Sequence, residues 1–255
     1  MSKTKLNFVL DLDATLVHTH GDVENFDVLD TFKKGQRIKL RKRLYTMKLY
    51  DVSVEEGTGE EVILSGIYRS YLEEFIPFLQ DYCNIVIVWS AGRMKYVKEM
   101  CRKIFPINQP YIIYTYDDCD VGKGDYLKKP LKKLFEDPRL KGKGVNETNT
   151  FVLDDREDTF SLNKKNGIQI PEFESDLTAE EILFHPDNNL IKLMCWLKRE
   201  EVINCRDVRE LNKDEIFTKS LDEYRKELNS SKKSKVASPK RKIASPKKRK
   251  TKKKE

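Results

Sequence analysis

FVLDLDATLVHTH, residues 8–20, opens as a buried strand and turns acidic within three residues. Phe8, Val9 and Leu10 are apolar; Asp11 and Asp13 follow, with one leucine between them, and then Thr15. In an extended chain residues i and i+2 share a face, so the two carboxylates would point the same way. Like charges so placed repel, and they lose hydration, unless a cation or a proton lies between them. The stretch therefore asks for one or the other at a strand end.

Working outward, three more apolar runs end in polar residues: NIVIVW (84–89) before Ser90, PYIIYTY (110–116) before Asp117 and TFVL (150–153) before Asp154. Their shortness and their β-branched and aromatic content predict buried parallel strands. RSYLEEFIPFLQDY (69–82) and GRMKYVKEMCRKIF (92–105) repeat apolar residues at helical spacing. KKPLKKLFED (128–137) is a shorter helical segment with Pro130 near its start, where proline is tolerated. Alternating strands and helices predict an α/β fold. Function in such sheets sits at the carboxyl ends of the strands, where Asp11, Ser90 and Asp154 all fall. Residues 36–67 interrupt the pattern. QRIKLRKRLYTMKLYDVSV reads as extended, EEGTGE as a turn and EVILSGI as a returning strand, which predicts a small β-hairpin flap. Basic residues are dense from Lys33 to Lys48, as a solvated face or as a substrate contact. From Ser175 to about Asn229 the pattern is helical again, in TAEEILF, NLIKLMCWLKREEV and DEIFTKSLDEYRKEL. The last is weakly apolar and is expected to project from the body.

The chain has 255 residues, 38% of them hydrophobic, enough for one core with some chain left over. No apolar run approaches the roughly 18 residues of a membrane span, and MSKTKLNF lacks the apolar stretch of a secretory signal, so no membrane partner is expected. Five scattered cysteines without a Cys-x-x-Cys pair predict a reducing compartment. Three histidines, His18, His20 and His185, argue against a histidine-based metal site or triad. Residues 230–255 hold 13 Lys or Arg and one Glu, so a +12 tail leaves −5 of the total +7 for the rest. Such a tail buries nothing and is expected to be disordered. It carries two Ser-Pro-Lys units, at Ser238 and Ser245, and PKKRK (246–250), which resembles a nuclear import signal. Importin binding, nonspecific nucleic-acid contact and solubility are compatible uses. The expected location is the nucleus, with the cytoplasm second.

The chemistry emerges when the pieces are combined. If the first and fourth strands are both central, Asp11, Asp13, Asp154 and Asp155 converge on one crevice. Hard oxygen ligands at an open site point to Mg²⁺. A phosphate dianion approaching such a crevice is repelled by on the order of 4 kcal/mol per charge at about 4 Å and a dielectric of about 20, which a metal offsets. One carboxylate can then attack phosphorus while another moves the proton. Ser90 and a lysine can hold phosphate oxygens, with the following helix N-terminus adding backbone donors.

DLDATLVH (11–18), VIVWSAG ending at Gly92 and LDDRED (153–158) resemble the FCP/SCP phosphatases of the haloacid dehalogenase superfamily. WSAGRMKYV and NKKNGI (163–168) are similar to the ubiquitin-like-domain branch of that family. The resemblance covers roughly residues 5–190 and implies a Rossmann-like parallel sheet flanked by helices. It implies Mg²⁺-dependent removal of phosphate from phosphoserine, as in the RNA polymerase II C-terminal domain, through an aspartyl phosphate. By motif, Asp11 is then the nucleophile and Asp13 the general acid/base, with its backbone carbonyl also on the metal. Thr15 supports the first loop, Ser90 and a lysine bind phosphate, and Asp155 is a metal ligand with Asp154 beside it. The lysine is Lys128 or Lys129; Lys129 is preferred because it directly precedes the helix. Ala14 stands where the family usually has Glu. The expected layout is a phosphatase domain over 1–200 with the insert at 36–67, a helical extension over 201–229 and the basic tail from 230. Two other readings remain open: a phosphatase of small molecules or nucleic-acid ends, and a non-catalytic nuclear scaffold.

Overall fold

The structure is a computed structural model that describes residues 3–20, 34–51, 58–122, 124, 126–173 and 187–227. TAEEILF, the EEGTGE turn up to residue 57 and the basic tail lie wholly or partly outside the described residues.

In chain order the strands are β1 (Asn7–Leu10), β2 (Val17–His20), β3 (Leu44–Tyr50), β4 (Glu61–Tyr68), β5 (Ile85–Trp89), β6 (Ile113–Tyr114), β7 (Asp120–Val121), β8 (Leu127–Lys128), β9 (Thr150–Asp154) and β10 (Gly167–Gln169). The main helices are α1 (Lys34–Arg43), α2 (Leu72–Tyr82), α3 (Met94–Ile104), α4 (Leu131–Glu136), α5 (Asn189–Leu197) and α6 (Glu200–Ile203). Five strands form one sheet in the order β10-β9-β1-β5-β6, and every pairing in it is parallel. β1 sits at its centre. Phe8 and Leu10 pack into a core shared with α2, α3 and α5, while Val9 points to the other face, with Ile87, Trp89, Val152 and α4. This two-sided burial explains why the central strands read as unbroken apolar runs.

The insert differs from the expectation in two ways. Residues 34–43 form α1, which takes in 36–43 of the stretch expected to be extended, and its last turn gathers Arg41, Lys42 and Arg43. Cations at that end complement the helix dipole. The hairpin β3–β4 is present, but β2 pairs antiparallel with β4 and makes a three-stranded sheet. The strand after the first acidic motif is thus part of the flap. At Gly66 of β4, a Cβ would lie 2.3 Å from the Tyr45 hydroxyl and 2.2 Å from the His18 carbonyl, so only glycine lets Tyr45 cross the sheet there.

Other differences are smaller. PYIIYTY supplies only the two-residue β6, at the sheet edge. NLIKLMCWLKREEV breaks into α5 and α6 rather than one helix. The final stretch does not project: Ile216 and Tyr224 are fully buried in the main core, and the Tyr224 hydroxyl donates to the Ile216 carbonyl at 3.0 Å. Val202 and Val208 join the same cluster, so the core runs on past residue 200.

Candidate active site

Three strand ends build the site. Leu10 pairs with Leu153 on one side and Val88 on the other, so Asp11 emerges beside Asp154 and next to the strand that ends before Ser90. Beyond Leu10 the chain does not stay extended. The Leu12 carbonyl accepts from the Leu16 and Val17 amides at 2.7 and 3.0 Å, and Ala14 takes a left-handed φ of 56°. This turn sends Asp11 and Asp13 to different surroundings.

Asp11 enters an acidic cluster. Its carboxylate, with those of Asp154 and Asp155, forms a group whose oxygens lie within 4.8 Å of one another. Lys129, only 2% exposed, donates to Asp11 Oδ1 and Asp154 Oδ2, both at 2.6 Å. Lys128 lies one residue back on the β7–β8 ribbon, where its backbone sits in register with that of Asp120. Burial raises the Asp11 pKa, and the Lys129 charge opposes that rise. For Lys129, burial favours loss of the proton, but the two carboxylates outweigh it and the net shift is upward. Asp155 is raised by burial and then by Asp154. One lysine cannot neutralise this many buried carboxylates, and the surplus of hard, anionic oxygen donors fits Mg²⁺. Asp11, Asp154 and Asp155 are the side chains that would hold it.

Asp13 is held apart from that cluster. Its Oδ1 accepts from Thr19 Oγ1 at 2.8 Å and from the Tyr96 hydroxyl. The Tyr45 hydroxyl lies 2.7 Å from Thr19 Oγ1. Burial raises the Asp13 pKa, and the Tyr96 and Thr19 donors oppose that rise. A carboxyl so placed holds its proton more readily than one in water.

The first loop is braced from behind. Thr15 Oγ1 donates to Asp155 Oδ1 at 2.9 Å and accepts from the Asp155 amide at 3.0 Å, tying the ends of β1 and β9 together. Arg69 is 1% exposed and donates to the Thr15 carbonyl at 2.9 Å, the Pro171 carbonyl at 2.6 Å and Asp187 Oδ2 at 2.7 Å. The Phe173 amide donates to the Ala14 carbonyl at 2.7 Å, which secures the left-handed residue. Ser90 is 1% exposed, and its Oγ accepts from the Gly92 amide at 3.0 Å just before α3 begins.

All the residues expected from the sequence therefore lie at the carboxyl edge of the sheet, with one distinction. The Asp13 side chain belongs to the hydroxyl network and not to the metal-capable cluster. Sequence reasoning missed Thr19, Tyr45, Tyr96 and Arg69. Tyr96 occupies a buried position of an amphipathic helix and reads as core; Arg69 reads as one more surface cation before a helix.

Acidic residues after two neighbouring parallel strands, a hydroxyl after a third and a lysine between the acids define a haloacid-dehalogenase-type α/β fold. The chain belongs to the NLI interacting factor-like phosphatase family, whose sequence profile matches residues 6–209. It is 28% identical over 195 residues to the ubiquitin-like domain-containing CTD phosphatase 1 of Xenopus tropicalis, covering 73% of this chain and 56% of that protein. The Drosophila melanogaster protein of the same name is 28% identical over 188 residues, covering 71% of this chain and 53% of the relative. The chain thus spans a little over half the length of these relatives. CTD small phosphatase-like protein 2 of Dictyostelium discoideum is 25% identical over 215 residues, covering 84% of this chain and 30% of that one. Among solved structures, Fcp1, an essential RNA polymerase II CTD phosphatase, aligns over 92% of this chain and 67% of its own at a TM-score of 0.50 and 17% identity. That likeness speaks to the fold.

Proposed function

We propose that the protein is a Mg²⁺-dependent protein-serine phosphatase acting on phosphoserine in Ser-Pro-rich tails, such as that of RNA polymerase II. The observation that carries this reading is the division between the two motif carboxylates: Asp11 in the acidic cluster with Lys129, and Asp13 in the hydroxyl network. In the first step an Asp11 oxygen attacks phosphorus and the bond from phosphorus to the serine oxygen breaks. Asp13 gives its proton to the leaving serine alkoxide. In the second step Asp13 takes a proton from water as that water attacks the aspartyl phosphate, and inorganic phosphate and free Asp11 are released. Lys129 and the Ser90 hydroxyl hold phosphate oxygens. When bound, Mg²⁺ would supply positive charge against the transferring group. The relatives named as CTD phosphatases support this substrate class.

The deciding experiment is a panel of phosphoserine peptides, phosphosugars and 5′-phosphorylated oligonucleotides assayed with Mg²⁺. Turnover confined to sugars or oligonucleotides would replace the protein substrate. Replacing Asp155 by Ala removes one of three clustered carboxylates. The Mg²⁺ concentration at half-maximal activity is expected to rise by about tenfold or more. An unchanged Mg²⁺ titration would remove Asp155 from the ligand set.

Tyr96→Phe tests the proton role of Asp13. A donor to a carboxylate favours its ionised form, so losing the Tyr96 hydroxyl raises the Asp13 pKa further. The acid then keeps its proton to higher pH, and the alkaline limb of the pH–rate profile on a phosphoserine peptide is expected to move upward. An unmoved limb would mean that Asp13 is not the acid of the slow step.

The basic tail is proposed to direct nuclear import and to contact nucleic acid without sequence preference. Deleting residues 230–255 is expected to leave thermal stability and peptide turnover unchanged. It should also shift a tagged protein towards the cytoplasm and weaken salt-sensitive nucleic-acid binding. Undiminished nuclear accumulation would remove the import role.

A further inference from the structure

A groove of about 760 Å³ opens on the flank of the molecule, lined by α1, the end of β4, the turn into α2 with that helix as far as Gln80, the end of α3 and the residues just after it. It contains none of the residues assigned above to phosphoryl transfer. Its apolar lining includes Leu72, Ile76, Ile104 and Pro106, and at its rim Ile107 is 87% exposed. Among the described residues its charge is uneven: Lys39, Lys42 and Lys103 line it against Glu73 and Glu74, while Arg43, also in the lining, donates to the Tyr68 carbonyl at 2.8 Å. Arg69 also lines it, but its guanidinium is committed to Asp187 and two carbonyls. Ser70, another lining residue, is 4% exposed and its Oγ has no hydrogen-bond partner among the described residues.

We propose that this groove docks a short acidic polypeptide segment with an apolar anchor, contributed by another protein. The excess of cations selects for acidic side chains, and the isoleucine- and proline-lined floor selects for an apolar one. A nucleic acid would meet the cations but would bring nothing to bury against Ile76, Ile104 and Ile107. The lining extends along α2 from Glu73 to Gln80, a rise of about 10 Å. That length holds roughly three to four residues of extended peptide. Anchor and acids therefore have to be close together in the partner's sequence. The segment containing Arg69 and Ser70 both lines the groove and holds the Thr15 carbonyl of the catalytic loop, so the docked peptide lies against the element that braces the site.

The test is fluorescence anisotropy of the full chain with a labelled peptide of Glu and Asp residues around a central Leu-Phe pair. A second probe replaces Leu-Phe by Ser-Ser and keeps all the acids, to separate the groove from the basic tail. Wild type is expected to bind the first probe at least about tenfold more tightly than the second. Lys39→Glu/Lys42→Glu and Ile107→Asp, all at solvent-exposed positions, should each weaken the first probe by about tenfold while thermal unfolding stays unchanged. Equal affinity for the two probes, or binding indifferent to Ile107→Asp, would assign the interaction to the tail and overturn the proposal. Turnover of a short phosphoserine peptide by the same variants should be unchanged, so the catalytic reading stands or falls separately.

Discussion

Asp11→Asn is expected to abolish turnover of a phosphoserine peptide, a loss on the order of 10⁴-fold or more, comparable to removing a nucleophile elsewhere. The amide keeps the shape of the carboxylate, so β1, its neighbours and the turn to Val17 should survive. What disappears is the anionic oxygen proposed to attack phosphorus, and an amide is too poor a nucleophile to substitute. Charge matters as well: Lys129 keeps Asp154 at 2.6 Å but loses its second anionic partner. Asp13→Asn should nearly abolish turnover while leaving phosphate binding partly intact, because Asp13 lies in the hydroxyl network rather than with Lys129. Purified Asp11→Asn protein with near wild-type Mg²⁺-dependent activity would end the aspartyl-phosphate mechanism.

Lys129→Ala is expected to lower activity by orders of magnitude and to lower the thermal midpoint. The side chain is 3% exposed and bridges Asp11 and Asp154, which are 10% and 1% exposed. Removing one partner of a buried ion pair leaves uncompensated charge and typically costs about 3–5 kcal/mol. If the cluster holds Mg²⁺ as proposed, excess Mg²⁺ should recover much of that penalty. Activity should not recover in parallel, since the lysine proposed to hold phosphate is still missing. Lys128→Ala, on the outer ribbon, should change stability by no more than about 0.5 kcal/mol. Kinetics and unfolding of both variants across a Mg²⁺ titration check this pair. The reverse ranking would move the phosphate-binding role back one residue.

Much of the frame was legible because it is encoded locally. The runs before Asp11, Ser90 and Asp154 are apolar, β-branched and short, as buried parallel strands must be. Their carboxyl ends necessarily collect whatever polar residues follow. The insert was only half legible: the alternation in β3 and the returning strand β4 showed, but α1 did not. The mean hydropathy of α1 is low and its cations surround it on most sides, so no apolar stripe announces a helix. The final helical stretch was misjudged for a related reason: a few residues, Ile216 and Tyr224, do its anchoring, and sparse anchors leave a weak pattern.

The sequence by itself determined the α/β order, the acidic strand ends and the demand for a counter-cation, because periodicity, composition and charge act over a few neighbouring residues. Only the tertiary structure decided how those groups divide. Lys129 reaches Asp11 across 118 positions, Tyr96 reaches Asp13 across 83 and Arg69 reaches Thr15 across 54. Strand register and a single tight turn choose these partners, placing one carboxylate against a lysine and the other, two residues away, against hydroxyls. Hydrogen bonds and ion pairs form where packing brings groups within about 3 Å, and that proximity is a property of the folded chain that no local spacing records.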